Sequence, residues 1–443
     1  MWPPPSLLLA LTIVLPLAAQ DPPTGPDRWN FYFQATSIGQ YHDAFPSPYS
    51  SAFSLLSHAE GEASLTSTLF FGLRLASNTL FYFDPEMAGG RGFSATNGIA
   101  NFPNGEMPRV STATPKPYIA RAYLTQDFGF GSEREMISSD PNQLGGSRPS
   151  TRYSLTVGRF SMSDFFDQNR YSHDPRTQFM GWATMYNGAW DYPADTRGYT
   201  WGWVHEFRTP RWSLRYGSAA EPRAANGPRF DRRVFVDRGD VFEGEIRITP
   251  GGHQGAIRAL SYINHSRAGS YADAIRLAET TATRPDIFAT SRAGTLKYGF
   301  GLNLEQEIGK GIGVFGRLGW NDGKTQSFAF AVIDRLASGG ISVDGGRWKR
   351  PSDTVGAAVT VTGLSGVHAL YLARGGFDFM LGDGALTYAP EYTFESYYSA
   401  RVVEGVFASV DLQHVNNPAY NQARGPVWIG SVRLHLEWGT DKR

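Results

Sequence analysis

The sequence predicts an all-β protein, a transmembrane antiparallel β-barrel of about sixteen strands with long extracellular loops and an inward-folded constriction loop. Three observations support this fold class. The 443 residues include 50 Gly, 27 Pro and 14% aromatic residues, a composition that favours turns and strands over helices. Apolar and polar residues alternate with a period of two along most of the chain. After Gln20 no run of about 18 apolar residues occurs, so strands and not helices would have to cross a membrane.

Residues 1–20 predict a secretory signal peptide. An apolar core from about Leu7 to Leu17 precedes the small residues Ala18 and Ala19, and the chain then becomes polar. The core is too short for a membrane-spanning helix. The predicted mature chain, residues 21–443, is a single exported domain, either soluble beyond the inner membrane or a membrane β-barrel.

Charge and motif content exclude several functions. The chain carries 41 basic and 41 acidic residues, so no net charge would attract nucleic acid. The absence of cysteine excludes thiol catalysis, thiolate metal sites and disulfides. The sequence contains no HExxH, GxSxG, P-loop or DxDxDG motif, and we predict no cofactor.

Sixteen segments in chain order have the alternation expected of strands, and boundary errors of two to four residues are expected. The segments are 29–38, 63–75, 78–87, 116–129, 152–160, 199–208, 211–218, 241–249, 254–265, 295–307, 312–321, 328–343, 354–363, 390–400, 406–415 and 427–438. Residues 271–282 have helical spacing and predict a short surface helix. The even strand number places both ends of the barrel chain on one side.

A soluble β-sandwich would also alternate, but two features favour a barrel. The polar faces of nearly all segments are crowded with Arg, Lys, Glu, Asp and Asn, and Trp, Tyr and Phe lie near the segment ends, as in the interfacial girdles of membrane barrels. In hydrocarbon every backbone donor and acceptor must be paired within the protein, and a sheet achieves this by closing. Sixteen strands enclose an aqueous lumen.

The alternation assigns charged side chains to the lumen if Leu73, Leu124, Tyr216, Ile246, Leu318 and Leu434 face lipid. A lipid-facing Arg or Lys at mid-bilayer would cost about 2–4 kcal/mol, which constrains the assignment. The charges could form wall ion pairs, hydrogen-bond neutral polyols, or both. The predicted lumen residues on strands are Arg74, Arg121, Arg215, Glu243, Glu245, Arg247, Lys297, Glu305, Arg317 and Arg433.

Residues 160–199 concentrate Asp, His and aromatic residues between two predicted strands. Asp164, Asp167, His173 and Asp174 allow three interpretations: a catalytic group, a loop-bound Ca²⁺ held by carboxylate oxygens, or ordinary turn residues. A constriction loop at 161–198, folded into the lumen, explains the composition best, because aromatic rings on a loop need a surface to pack against. The rings proposed to stack on a sugar are Phe166, Trp182 and Trp190.

Several stretches together resemble the carbohydrate-selective porin family, the OprB-like outer-membrane channels of Gram-negative bacteria. They are IANFPNGE (99–106), HDPRTQF (173–179), ADTRGYTWG (194–202), WNDG (320–323), RWKRPSDTVG (347–356) and NPAYNQARGPV (417–427). The resemblance implies a monomeric or weakly associated barrel of about sixteen strands through which sugars diffuse across the outer membrane.

We therefore predict a passive outer-membrane channel for small neutral sugars, with no chemical step. Its expected partners are small sugars, outer-membrane lipid and lipopolysaccharide, and the barrel-assembly machinery, with no nucleic acid. One alternative is a secreted or outer-membrane β-rich enzyme acting on carbohydrate or lipid through His173 or Asp174. Another is an adhesion barrel with a plugged lumen.

Overall fold

The barrel is a single closed antiparallel sheet in which each strand pairs with its neighbours in sequence and the first strand pairs with the last. The computed structural model describes residues 25–107, 113–233 and 235–440, so the predicted signal peptide lies outside the described residues. The strands assigned within these ranges are β1 (Trp29–His42), β2 (Glu60–Ala76), β3 (Thr79–Gly90), β4 (Lys116–Ile137), β5 (Gly146–Phe160), β6 (Thr200–Arg208), β7 (Trp212–Ala220), β8 (Arg238–Ile248), β9 (Gly255–Ala268), β10 (Arg292–Gly309), β11 (Ile312–Asn321), β12 (Arg335–Asp344), β13 (Thr354–Gly363), β14 (Glu391–Val403), β15 (Val406–Asn416) and β16 (Val427–Gly439).

The predicted fold class is confirmed, and each predicted segment coincides with one strand. The segments 312–321 and 354–363 match β11 and β13 end to end. The predicted segment 328–343 starts too early, because β12 begins at Arg335. Phe328 and Ile333 are instead buried inside the barrel, so this apolar run packs in a loop.

The apolar faces of the strands point outward. On β16, Val432 and Leu434 are 62% and 48% exposed, whereas Arg433 between them is 2% exposed. This is the reverse of a water-soluble sheet, and it follows if hydrocarbon surrounds the barrel and the lumen accepts charge. Exposed tryptophans lie near both strand ends: Trp29, Trp212 and Trp438 at one end of the barrel, and Trp201 and Trp428 at the other.

The two barrel ends differ in the length of their connections. One end has long connections at 43–59, 91–115, 161–199, 221–237, 269–291, 322–334, 364–390 and 417–426. The other has shorter ones at 77–78, 138–145, 209–211, 249–254, 310–311, 345–353 and 404–405, together with the starts of β1 and the end of β16. In bacterial outer-membrane barrels the longer loops are extracellular.

The helices in the described residues are α1 (Trp182–Met185), α2 (Tyr271–Thr281) and α3 (Gly366–Ala373). Ser270 caps α2 by accepting from the Asp273 N–H, and Ser365 caps α3 in the same way for His368. The helix predicted at 271–282 is thus present, and one of its faces packs on α3. None of these helices has the length and apolarity needed to cross a membrane.

His368 on α3 ties three long loops together. Its Nδ1 lies 2.8 Å from Asp334 Oδ2, its Nε2 lies 3.5 Å from Asp378 Oδ2, and its ring stacks on Tyr271 of α2 at 4.0 Å. Burial alone lowers the pKa of His368, but the Asp334 carboxylate outweighs burial and the net effect raises the pKa. The His368 side chain therefore connects the loops at 269–291, 322–334 and 364–390 to one another.

Candidate functional site

Residues 161–199 form an inward loop that occupies much of the lumen. Phe160 at the end of β5 pairs with Thr200 at the start of β6, so the chain leaves and re-enters the wall at one place. Within this fully described loop Arg170 is the only exposed residue. The loop therefore folds back into the barrel.

Arg317 on β11 anchors the inward loop at three places along its length. Its Nε lies 3.1 Å from Asp167 Oδ2, and its guanidinium also donates to the Ser172 and Thr184 carbonyls at 2.6 and 3.2 Å. Asn303 on β10 donates to Asp167 Oδ1 at 2.6 Å. Because both charged side chains are almost fully buried, this pair fixes the loop position where water cannot compete.

Arg433 on β16 and Glu395 on β14 anchor the middle of the inward loop. Arg433 donates to the carbonyls of Pro175 and Gln178 at 2.6 and 2.8 Å. Glu395 accepts the N–H groups of Met180 and Gly181. A Cβ at position 181 would lie 2.7 Å from Glu395 Oε2, so glycine permits this close approach.

Other wall charges also bind the backbone or side chains of the loop. Glu243 accepts from the Asp167 N–H at 2.8 Å, and Glu305 accepts from the Arg170 N–H at 2.6 Å. Lys297 lies 3.1 Å from Asp191, whose carboxylate also accepts from the N–H groups of Phe328 and Ala329. Many inward charges are thus engaged in holding loops inside the barrel.

A second inward segment, within the connection 91–115, packs against the loop. It is IANFPNGE (99–106), where Asn101 accepts from the Ala183 N–H at 2.7 Å and Gly105 donates to the Met180 carbonyl at 2.8 Å. Glu391 on β14 fixes its start by accepting from the N–H groups of Ala100 and Asn101 at 2.9 and 2.7 Å. The two segments together form a folded core in the lumen.

A cavity of about 540 Å³ remains between this core and the wall formed by β1 to β4 and β16. Asp140 and Glu437 line it near the end with short connections, and Met107 and Gly198 line it among the long loops. The open space is therefore at one side of the barrel, because the inward segments fill the other side.

The cavity wall carries paired charges of both signs. Arg121 Nη2 lies 2.6 Å from Asp164 Oδ1, and Arg176 Nε lies 2.7 Å from Glu106 Oε1. The Arg176 Nη2 atom is also 3.5 Å from Glu86 Oε2. The Arg121, Asp164 and Arg176 side chains remain 13%, 20% and 18% exposed, so solutes in the cavity can reach them.

Aromatic rings form another part of the cavity wall. Trp182 stacks on Phe102 with ring centres 5.1 Å apart, and Tyr186 meets Trp182 edge to face at 5.1 Å. Phe330 packs 4.9 Å from Trp182. Trp182 is 6% exposed and Tyr186 is half-buried, so Tyr186 offers more of its ring to the cavity.

The structure brings five of the predicted site residues to this cavity: Arg121, Asp164, His173, Asp174 and Trp182. The others lie elsewhere, and their predicted roles in solute passage remain predictions. The inward loop is held in place by contacts of Arg317, Arg433, Glu243, Glu305, Lys297 and Asp167. Phe166 and Trp190, which both belong to the loop, pack against each other. Ion pairs along the wall involve Arg215, Glu245 and Arg247. Near the short connections, Arg247 and Arg74 also donate to backbone carbonyls.

His173 and Asp174 mainly stabilise the loop itself. Asp174 Oδ1 accepts from the Arg176 N–H at 2.9 Å, and the His173 ring contacts Tyr186 edge to face at 4.9 Å. Burial and then the Arg317 charge lower the pKa of His173 to about 4, so the imidazole is neutral at pH 7. Among residues 25–107, 113–233 and 235–440 no group of three His, Asp or Glu side chains is arranged to hold a metal ion.

Sequence reasoning missed several residues that line the cavity, including Phe102, Glu106, Arg176, Tyr186 and Tyr199. Glu106 and Arg176 lie in the stretches IANFPNGE and HDPRTQF, which carry the family resemblance. Their pairing could not be read from strand alternation, because both lie on loops.

Comparison with known protein families and solved structures agrees with the barrel fold. The family model described as carbohydrate-selective porin, OprB family, matches residues 68–438. The high-pH structure of Pseudomonas putida OprB aligns with a TM-score of 0.70 at 14% identity, over 94% of each chain. Its low-pH structure gives 0.48 at 12% identity over 92% of each chain. The outer membrane channel DcaP of Acinetobacter baumannii gives 0.47 at 10% identity, over 95% of this chain and 100% of that one. No curated protein sequence matches this chain.

Proposed function

This chain belongs to the carbohydrate-selective porin OprB family, and we propose that small neutral sugars diffuse passively through the cavity beside its inward loop. As a member of that family it is an outer-membrane channel for carbohydrates rather than an enzyme. The alternative of a carbohydrate- or lipid-modifying enzyme acting through His173 or Asp174 is therefore set aside.

The observation that supports this route is a cavity lined by both ion pairs and aromatic rings. Its volume of about 540 Å³ falls within the range of about 300–1,000 Å³ that small-molecule sites occupy. Arginine and carboxylate groups exchange hydrogen bonds with sugar hydroxyls, and aromatic faces contact sugar C–H groups. The Arg121–Asp164 and Arg176–Glu106 pairs place hydrogen-bond donors and acceptors side by side, which suits the hydroxyl groups of a neutral sugar.

We assign solute contact to Arg121, Asp164, Glu106 and Arg176, with Tyr186 as the most accessible ring. In this proposal the loop at 161–198 narrows the channel, and Trp182 supports Tyr186 from behind. The predicted wall residues Arg317 and Arg433 act on passage indirectly, by holding the loop in place.

The proposed export and partners complete this assignment. Residues 1–20 would serve as the signal peptide, and residues 21–443 would form one barrel domain inserted by the barrel-assembly machinery. The exposed apolar belt would contact outer-membrane lipid, with lipopolysaccharide in the outer leaflet. We propose a monomer or weak homo-oligomer.

Liposome swelling with a panel of mono- and disaccharides tests the route. Arg176→Gln should change the ratio of sugar permeability to salt conductance several-fold, because it removes a charge from the cavity wall. The matched control is Arg148→Gln, since Arg148 is equally exposed at 18%, is ion-paired with Asp127 and does not line the cavity. Equal ratios for wild type and Arg176→Gln would contradict the proposed route.

A further inference from the structure

A cluster of arginines lies at the rim of the barrel where β7 connects to β8. A second cavity of about 730 Å³ is lined there by five arginines, one aspartate, Pro228 and Phe230. We call these five arginines the rim cluster: Arg223, Arg229, Arg232, Arg233 and Arg267. The cavity wall therefore carries a strong positive charge, although the chain as a whole is neutral.

The rim cluster faces away from the lumen. Arg267 on β9 shares its strand face with Ile257 and Ile263, whose side chains are exposed on the outer wall. The connection 221–237 turns Asn226 inward, where it hydrogen-bonds to the Phe328 and Ala329 carbonyls at 2.7 and 2.9 Å. The connection therefore has an inner edge bound to the lumen core and an outer edge that carries exposed Arg223, Arg229, Arg232 and Arg233.

Few negative charges neutralise the rim cluster. Asp231 lies 2.9 Å from Arg233 and 3.9 Å from Arg267, and Asp237 lies 2.5 Å from Arg233. Within the described part of the chain, Arg223, Arg229 and Arg232 form no ion pair. These three guanidinium groups keep their donors available to a ligand with several acceptor oxygens.

The cluster lies at the height expected of lipid headgroups. Ile263 pairs with Tyr298, which packs on Trp320 at 5.8 Å and marks the aromatic level of the outer wall. Arg267 follows Ile263 by four residues, which places it roughly 10 Å further along the barrel axis for a tilted strand. Phe235, two residues after Arg233 in the chain, is an apolar side chain that is 87% exposed.

We propose that the rim cluster binds the phosphorylated headgroup of a glycolipid of the outer leaflet, the lipid A part of lipopolysaccharide. Arginine matches phosphate oxygens with two parallel hydrogen bonds, and several arginines around one cavity suit a ligand with more than one phosphate. Phe235 and the apolar wall below Arg267 contact the acyl chains. The site rests on the extracellular position of the long loops in the proposed function, and it is separate from the sugar route.

The test measures binding of diphosphoryl lipid A, and of the same lipid without phosphates, to the detergent-solubilised full-length barrel by native mass spectrometry. Arg229→Gln/Arg232→Gln should weaken diphosphoryl lipid A binding roughly twenty-five-fold, since each arginine contributes a factor of about five. The dephosphorylated lipid should bind weakly to both proteins. Inorganic phosphate at the same concentration should not displace lipid A.

The control is Arg276→Gln/Arg292→Gln, since these arginines are 73% and 74% exposed but lie on α2 and at the start of β10, outside the rim cluster. It should bind lipid A as wild type does. Unchanged lipid A binding by Arg229→Gln/Arg232→Gln, equal binding of the dephosphorylated lipid, displacement by inorganic phosphate, or an equal loss in the control would each overturn the proposal. Sugar-driven swelling of phospholipid liposomes should be normal for both variants, so loss of the lipid site and loss of channel function are distinguishable.

Discussion

Replacing Arg317 by alanine should release the inward loop while leaving the barrel assembled. The side chain is fully buried, and its guanidinium makes five hydrogen bonds to Asp167, Ser172 and Thr184. Its loss leaves the Asp167 carboxylate buried, and its remaining donors among the described residues are Asn303 and the Asn187 N–H, at 2.6 and 2.8 Å.

The expected cost follows from that uncompensated charge. Removing one partner of a buried ion pair typically costs about 3–5 kcal/mol. If this cost falls on loop attachment, the population of the detached loop rises between about a hundredfold and a few thousandfold. The strand pairing of β11 is made by backbone groups and should persist.

The assay is the open-channel current of single barrels in planar bilayers, with heat-modifiable gel migration to show that the barrel has assembled. Arg317→Ala should give larger current noise and flicker than wild type. Arg152→Ala is the matched control, because buried Arg152 pairs with Glu135 and donates to the Pro149 carbonyl, both on strands of the wall.

A double variant separates loop attachment from general damage. Arg317→Met/Asp167→Asn removes both charges, and asparagine tolerates the left-handed backbone at position 167, where φ is 55°. The open-channel current of this double variant should be less noisy than that of Arg317→Ala. Current noise in Arg317→Ala equal to that of wild type, or no recovery in the double variant, would refute the reasoning.

Three further predictions concern the loop, the outer wall and pH. Deleting residues 174–191 should raise single-channel conductance, since these residues occupy the lumen; unchanged conductance would place them outside the conducting path. Leu434→Arg should destabilise the membrane-inserted barrel by about 2–4 kcal/mol and so impair assembly, because Leu434 is exposed on the lipid-facing wall. Normal amounts of folded barrel would contradict that orientation. Raising the pH should loosen the loops held by His368: its pKa is raised in the fold, so its stabilising charge is fully present below the unfolded pKa of about 6.5 and is lost as pH rises through the folded pKa. The rate of limited proteolysis of the long loops should therefore increase with pH in wild type but not in His368→Gln. A pH-independent rate in wild type would contradict this role of His368.

Strand positions could be predicted from the sequence because lipid and lumen impose a period of two on every wall segment. The exception at 328–334 shows the limit of this rule. Its apolar residues have the pattern of a strand, but they pack on the loop core, where Asp191 binds the N–H groups of Phe328 and Ala329. Local pattern alone does not distinguish apolar residues that face lipid from those that face a folded loop.

The candidate site was less predictable, because it depends on contacts between residues distant in sequence. Alternation placed Arg317, Arg433 and Glu243 on the inner face, but their engagement with the loop depends on where that loop folds. Likewise, Arg176 and Glu106 are 70 residues apart and meet only after two connections enter the lumen.

The most direct test of the sugar route uses the absence of cysteine from the chain. Thr177→Cys places a single thiol on the cavity wall, and Ala224→Cys places one on the exposed edge of the β7–β8 connection. After reaction with a bulky, water-soluble thiol reagent, sugar-driven liposome swelling should slow strongly for Thr177→Cys and stay unchanged for Ala224→Cys. Undiminished sugar flux through fully modified Thr177→Cys would contradict passage through this cavity.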